Sequence, residues 1–199
     1  MFITRLFVLD RCIQIRVVFG ELRNACAERL LDFDNLPLRY DGASLALQQA
    51  FSCDAVICAL GTTLKLAGSK AAFAAIDKDL VLSLARLAQS GGAQRFALNS
   101  SLGASAKGSF YLRTKAAVET AIIDMNFART VIVRPSLIDS DRDGQRPLEH
   151  VGVVMARLAR GIIPARYRAV RPEAIARSLI AGIKNDAPGT HIVESEFIR

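Results

Sequence analysis

The chain has no tryptophan, and aromatic residues of all kinds make up 7% of its 199 residues. Its only histidines, His150 and His191, lie far apart without neighbouring ligand types, so no metal site is expected. The cysteines, Cys12, Cys26, Cys53 and Cys58, form no C-x-x-C pair and read as free, reduced thiols of a cytosolic protein. No uninterrupted apolar run reaches the roughly 18 residues of a membrane-spanning helix. The opening MFITRLFVLDR lacks a small-residue cleavage site, so no signal peptide is expected. These absences predict a cytoplasmic protein with no membrane partner. Glycine is also scarce early, with Gly20 alone in the first 30 residues. There is no internal repeat, interdomain linker or low-complexity tract, which predicts one domain over residues 1–199.

Half of the chain is hydrophobic, enough for a sizeable core. Leu6–Leu9 and Ile13–Phe19 read as short strands rich in Val, Ile and Phe. Only Asp10-Arg11-Cys12 joins them, whereas a parallel crossover needs at least about 10–12 residues. They are therefore antiparallel, or one irregular strand, or the chain has lost a piece. Arg29–Phe33 reads as a further strand and Ser44–Phe51 as a short helix.

From residue 54 the pattern is regular. Asp54–Leu60 is a continuous apolar run, as expected of a parallel strand buried on both faces. After the loop Leu64–Gly68, Ser69–Gln89 carries Phe73, Ile76, Leu80, Leu84 and Leu87 as one apolar stripe of a helix. Gln94–Asn99 is the next strand, Tyr111–Met125 a helix and Thr130–Arg134 a strand. Leu148–Arg160 and Pro172–Ile183 read as helices, with Gly182 a tolerable cost, and Thr190–Val193 as a last strand. Alternating buried strands and amphipathic helices predict an α/β fold with a mainly parallel, doubly wound sheet, helices on both faces and irregular N-terminal strands. Ligands of such sheets bind at the carboxyl ends of the strands. Three such ends, Gly61-Thr62-Thr63, Ser100-Ser101 and Pro135-Ser136, are small and hydroxyl-rich and are expected to converge on one edge.

Ala97–Lys115 is the stretch with most chemistry. Tyr111 and Lys115 stand four apart and share a helix face. A phenol beside an ammonium, with the Ser101 hydroxyl brought in from a neighbouring strand, makes a proton-transfer site. On this reading Tyr111, with Lys115 beside it, protonates a carbonyl oxygen that accepts a hydride, or deprotonates an alcohol in reverse. Ser101 holds the same oxygen. A Tyr and a Lys at helical spacing also arise as an amphipathic ring beside a solvated amine.

These stretches resemble the short-chain dehydrogenase/reductase superfamily, and within it the atypical branch with Tat-interacting-protein-like and bacterial nucleoside-diphosphate-sugar-epimerase-like members. The matching segments are DAVICALGTT (54–63), residues 67–105, FYLRTKAAVE (110–119) and VIVRPSLIDSDR (131–142). The resemblance implies a Rossmann-like fold and an NAD(P)-dependent oxidoreductase. By position, Ser101, Tyr111 and Lys115 would be catalytic, with Ser100 an alternative to Ser101. Lys115 would also hydrogen-bond the nicotinamide ribose. Leu60, Gly61 and Thr62 would line the centre of NADP or NAD, Asp32 and Phe33 the adenine, and Pro135, Ser136 and Leu137 the carboxamide.

The family opens with a strand and a G-x-x-G-x-x-G turn that brings backbone N–H groups to the pyrophosphate. The first 30 residues hold no such turn. If Ile13–Phe19 is the family's second strand, the first unit is missing or degenerate, and Phe2–Leu9 fills its place at the sheet centre. Two readings follow: an oxidoreductase acting on a small carbonyl or alcohol, or a cofactor-deficient relative serving as a binding or regulatory module or a truncated inactive product. The net charge of +7, with Arg157, Arg160, Arg166, Arg168, Arg171 and Arg177 late in the chain, suits phosphates in principle. These arginines form no single stripe and few aromatics are interleaved, so a solvated surface is expected and nucleic acid is not. An unpaired strand near residues 1–20 would favour a homo-oligomer.

Overall fold

The computed structural model describes residues 2–8, 14–20, 53–139 and 163–199, the first two stretches as backbone only. The segments Arg29–Phe33, Ser44–Phe51 and Leu148–Arg160, and with them Asp32 and Phe33, lie outside the described residues.

Six strands form one sheet in chain order: β1 (Phe2–Val8), β2 (Gln14–Gly20), β3 (Ala55–Leu60), β4 (Arg95–Asn99), β5 (Arg129–Arg134) and β6 (Gly189–Glu194). β1 and β2 pair antiparallel, and every later pair is parallel. Of the three readings of the short link between the first two strands, the antiparallel one holds. Their placement differs from expectation. In a doubly wound sheet of order 3-2-1-4-5-6, the strand beside the fourth is the first. Here β2, not the Phe2–Leu9 segment, lies in register beside β3, with Gly20 opposite Leu60, and β1 lies outside it.

Strand alternation sends side chains to two faces. On one face Val56, Cys58 and Leu60 of β3 and Phe96 and Leu98 of β4 pack against Val81, Leu84 and Ala88, and against Val118 and Ile122. On the other, Ala55, Ile57, Ala97, Val131 and Val133 pack against Ala174, Ile175, Leu179 and Ile183. Helices therefore cover both faces, and the architecture is Rossmann-like α/β.

Among the described residues the α-helices are α1 (Leu64–Ala67), α2 (Lys70–Ala74), α3 (Val81–Ser90), α4 (Phe110–Asp124) and α5 (Pro172–Lys184). The expected loop Leu64–Gly68 is instead a helical turn, because the Thr63 hydroxyl caps it by accepting from the Leu66 N–H. The expected uniform helix over Ser69–Gln89 is interrupted: Ala75–Leu80, between α2 and α3, is π-helical. Such widened turns redirect the side chains they carry.

Gly182 is not merely tolerated in α5. A Cβ there would stand 2.6 Å from Val131 Cγ1, and Val131 is fully buried and β-branched, with no room to yield. Gly182→Ala is expected to destabilise the fold by about 1–2 kcal/mol, overpacking outweighing the gain in helix propensity. The measurement is urea unfolding, with a lowered midpoint and an unchanged slope.

Candidate functional site

The carboxyl ends of β3, β4 and β5 adjoin because those strands are parallel neighbours. The Ser100 N–H donates to the Val133 carbonyl and the Leu102 N–H to the Pro135 carbonyl, both at 2.8 Å, which holds the loops after β4 and β5 together. α4 starts at a Ser109 cap and runs back beside them.

Lys115, in the second turn of α4, is 6% exposed, and a buried ammonium needs a counter-charge. It has one in Asp77, from the π-helical segment, with Nζ and Oδ1 2.7 Å apart and Asp77 1% exposed. The second carboxylate oxygen of Asp77 accepts the Thr62 N–H at 2.7 Å. Gly61 closes the group: a Cβ there would lie 3.5 Å from Asp77 Oδ1 and 3.7 Å from Lys115 Nζ. Gly61, Thr62, Asp77 and Lys115 thus form one cluster drawn from three elements. Tyr111 lies against it, its ring centroid 5.8 Å from Lys115 Nζ and 5.6 Å from that of buried Phe73. With Asp77 in contact, the field of Lys115 at the ring is that of an ion pair, not of a lone cation. Cys58 shares this environment, and burial pushes its thiol up to about 11 despite the nearby lysine.

The two adjacent serines differ in their surroundings. Ser100 is buried and its hydroxyl donates to Glu119 Oε1 at 2.5 Å. Glu119 also takes a two-pronged contact from Arg134, at 3.0 and 2.6 Å, and Arg134 reaches Glu194 at 2.8 Å. The hydrogen bonds to Glu119 foremost, with those to Glu194, keep the Arg134 guanidinium protonated far above its ordinary range. Ser101 is half-buried, and among the described residues its hydroxyl makes a single 3.5 Å contact, with the Leu102 carbonyl. That length is at the limit of hydrogen bonding.

Of the remaining expected residues, Leu60 is buried at the end of β3. Pro135 accepts from Leu102 as described, and Ser136 is tied by its N–H to the Ser195 hydroxyl and by its own hydroxyl to the Arg168 carbonyl. Leu137 is 65% exposed. Asp77, Glu119 and Arg134 were not singled out from sequence. A signal existed: Asp77 is an acid four residues after Phe73, inside an apolar stripe, and Glu119 follows Lys115 by four on the same helix face.

This edge of the sheet leaves room and unmet polar capacity for a hydroxyl-bearing ligand. Gly61 leaves open the space a side chain would fill beside the ion pair. The buried Thr62 Oγ1, and Asn99 Oδ1 at the end of β4, have no hydrogen-bond partner among the described residues. Buried polar atoms of this kind call for a partner.

No family model matches the chain. It is 37% identical over 130 residues to Protein HTATIP2 of Rattus norvegicus, covering 65% of this chain and 50% of that protein. It is 43% identical over 96 residues to the mitochondrial protein fmp52 of Emericella nidulans, covering 48% of this chain and 41% of that protein. The chain thus spans about half the length of the curated relatives it matches. A solved short-chain dehydrogenase/reductase superfamily protein from Agrobacterium tumefaciens, with bound NAD, superimposes with a TM-score of 0.51. That match has 17% identity and covers 77% of this chain and 63% of that one. The resemblance to the atypical short-chain dehydrogenase/reductases is therefore supported: the chain is similar over about half of their length to proteins of the HTATIP2 and FMP52 type, and its fold is Rossmann-like α/β, as in that solved neighbour. The cytoplasmic expectation is corrected, because the FMP52 relatives are named mitochondrial. The lack of a membrane-length apolar run and of a secretory cleavage site, and the reduced thiols, from which that expectation came, do not distinguish the two compartments.

Glu119→Ala removes the acceptor of Ser100 and half the counter-charge of Arg134. It is expected to destabilise by about 2–3 kcal/mol, and Glu119→Gln by less, since Gln still accepts from Ser100. Paired urea titrations of the two variants check the ranking.

Proposed function

We propose that the chain forms the nicotinamide-binding and reactive part of an NAD(P)-dependent oxidoreductase acting on a small carbonyl or alcohol. The observation that carries this reading is the cluster of Gly61, Thr62, Lys115 and Tyr111 at the carboxyl edge of a parallel sheet, where doubly wound folds bind their ligands. Lys115, Gly61, Thr62 and Leu60 would hold the nicotinamide ribose and the centre of NADP or NAD, and Pro135, Ser136 and Leu137 would face the carboxamide. Asp32 and Phe33 are assigned to the adenine on the sequence resemblance alone. When bound, the nicotinamide supplies or removes a hydride.

The chain's own residues do the rest. The Tyr111 hydroxyl gives a proton to the substrate oxygen in reduction and takes it back in oxidation. Ser101, whose hydroxyl has no strong partner among the described residues, holds that oxygen. Ser100, committed to Glu119, fixes the loop on which Ser101 stands. Phe73 orients the Tyr111 ring and excludes water from one side of it. The names of the FMP52 relatives bring a mitochondrial setting to this reading.

A second reading has its own support. Neither N-terminal strand is followed by a glycine-rich turn, and the pyrophosphate loses several charge-assisted bonds of about 1.5–3 kcal/mol each. On that reading the chain is a cofactor-deficient relative that acts as a binding or regulatory module.

Oxidation of NADPH or NADH in the presence of a panel of small aldehydes and ketones separates the two. The first reading predicts turnover that Tyr111→Phe lowers by about 10²–10⁴-fold with little change in melting temperature. Undiminished turnover in that variant removes Tyr111 from the chemistry. Absence of turnover across the panel favours the second reading.

A further inference from the structure

We propose that the outer edge of β1 pairs with the β1 of a second copy of this chain, antiparallel and about a two-fold axis at Leu6, joining two six-stranded sheets into one. The inference is independent of the function proposed above.

Two observations carry it. The first is position. β1 is the terminal strand of the sheet, and β2 pairs along one side of it through all seven residues without a bulge, from Phe2 opposite Gly20 to Val8 opposite Gln14. Among the described residues no strand lies on its other side. A row of backbone donors and acceptors is therefore left for a further strand. The second is sequence. β1 reads FITRLFV, so Phe2, Leu6 and Val8 fall on one face with Thr4, and Ile3 and Phe7 on the other with Arg5. Apolar residues on both faces are the pattern of a strand inside a sheet, not at its margin. Edge strands avoid pairing through proline, bulges or lysine, and β1 has none of these. The opposite margin, β6, reads GTHIVE, with Ile192 and Val193 its only apolar residues.

A second copy suits this edge for reasons of symmetry. A two-fold axis makes the pairing antiparallel, which needs no crossover, and closes the assembly at two chains. It also restricts the register. An axis at Arg5 sets two arginines opposite each other, and like charges directly opposite are destabilising. An axis at Thr4 sets Arg5 opposite Ile3, whereas one at Leu6 sets it opposite Phe7, a better partner for a guanidinium. The Leu6 axis also sets Leu6 opposite Leu6 and Thr4 opposite Val8. So short an interface belongs to the weak end of the size range, and a dissociation constant on the order of 10 µM is expected.

The test is sedimentation velocity of the full chain from about 1 to about 300 µM, a range that brackets that constant. The mass is expected to rise from the 21.6 kDa of one chain toward twice that value. Leu6→Lys and Leu6→Glu, which each set like charges opposite, are expected to weaken the dimer about tenfold or more. An equimolar mixture of the two at low salt is expected to associate at least as well as the wild type. Ile192→Lys, at the far margin, should leave association unchanged. A single-chain mass at every concentration, a mixture that does not associate, or a loss caused by Ile192→Lys and not by the Leu6 variants overturns the proposal. If the Leu6 variants fail to fold, hydrogen exchange of the wild type decides. Amides of residues 2–8 should gain protection as concentration rises, and those of residues 189–194 should not. Protection of β1 that does not change with concentration, as pairing within one chain would give, overturns it. None of these readouts needs cofactor or turnover, so this proposal and the oxidoreductase reading fail separately.

Discussion

Two opposite charges withdrawn from water, Lys115 and Asp77, set the constraint on which the arrangement of the site depends. Neither is stable alone where it stands, since each is almost wholly buried. Their contact forces α4 and the π-helical segment to meet at one height, and the Thr62 N–H on the free carboxylate oxygen brings the end of β3 to the same point. The apolar packing beneath, with Phe73, Leu84, Val118 and Ile122 all near zero exposure, supplies a low-dielectric floor in which that pairing is strong.

A second polar system lies beside it and does different work. Glu119 stands one helical turn beyond Lys115, and through Arg134 and Glu194 it ties α4 to the ends of β5 and β6. It also consumes the Ser100 hydroxyl. Neighbouring serines in one loop thus have unlike surroundings, one satisfied within the protein and one with little internal claim on it. Under the proposed function, that division leaves Ser101 available for the substrate oxygen while Ser100 holds the loop.

Most of the described strands and helices from residue 54 onward were legible because burial on both faces and one-sided stripes leave clear periods in sequence. Asp54–Leu60 and Pro172–Ile183 differ from the observed elements only at their ends. The π-helical turn was not legible, since the spacing of Phe73, Ile76 and Leu80 suits an ordinary helix and the widening serves Asp77, a tertiary partner. The cap on α1 was overlooked because a four-residue helix has too little length for a period, although Thr63 is a standard cap. The order of the first two strands depends on pairing with β3, a long-range choice that local pattern does not contain. Within the site, the sequence resemblance picked out Lys115, Gly61 and Thr62, which the fold brings together. What it lacked was the acid between them, which reads as an ordinary polar interruption until the fold closes around it.

The central claim is that this edge of the sheet receives a nicotinamide dinucleotide although no glycine-rich turn follows either N-terminal strand. Titration of NADPH and NADH into the purified protein, followed by ligand fluorescence and by thermal shift, addresses it most directly, and a chain without tryptophan adds little background emission. The account predicts saturable binding with a raised melting temperature. A cooperative melt with no binding up to about millimolar ligand, where the free energy would be weaker than roughly 4 kcal/mol, would contradict it.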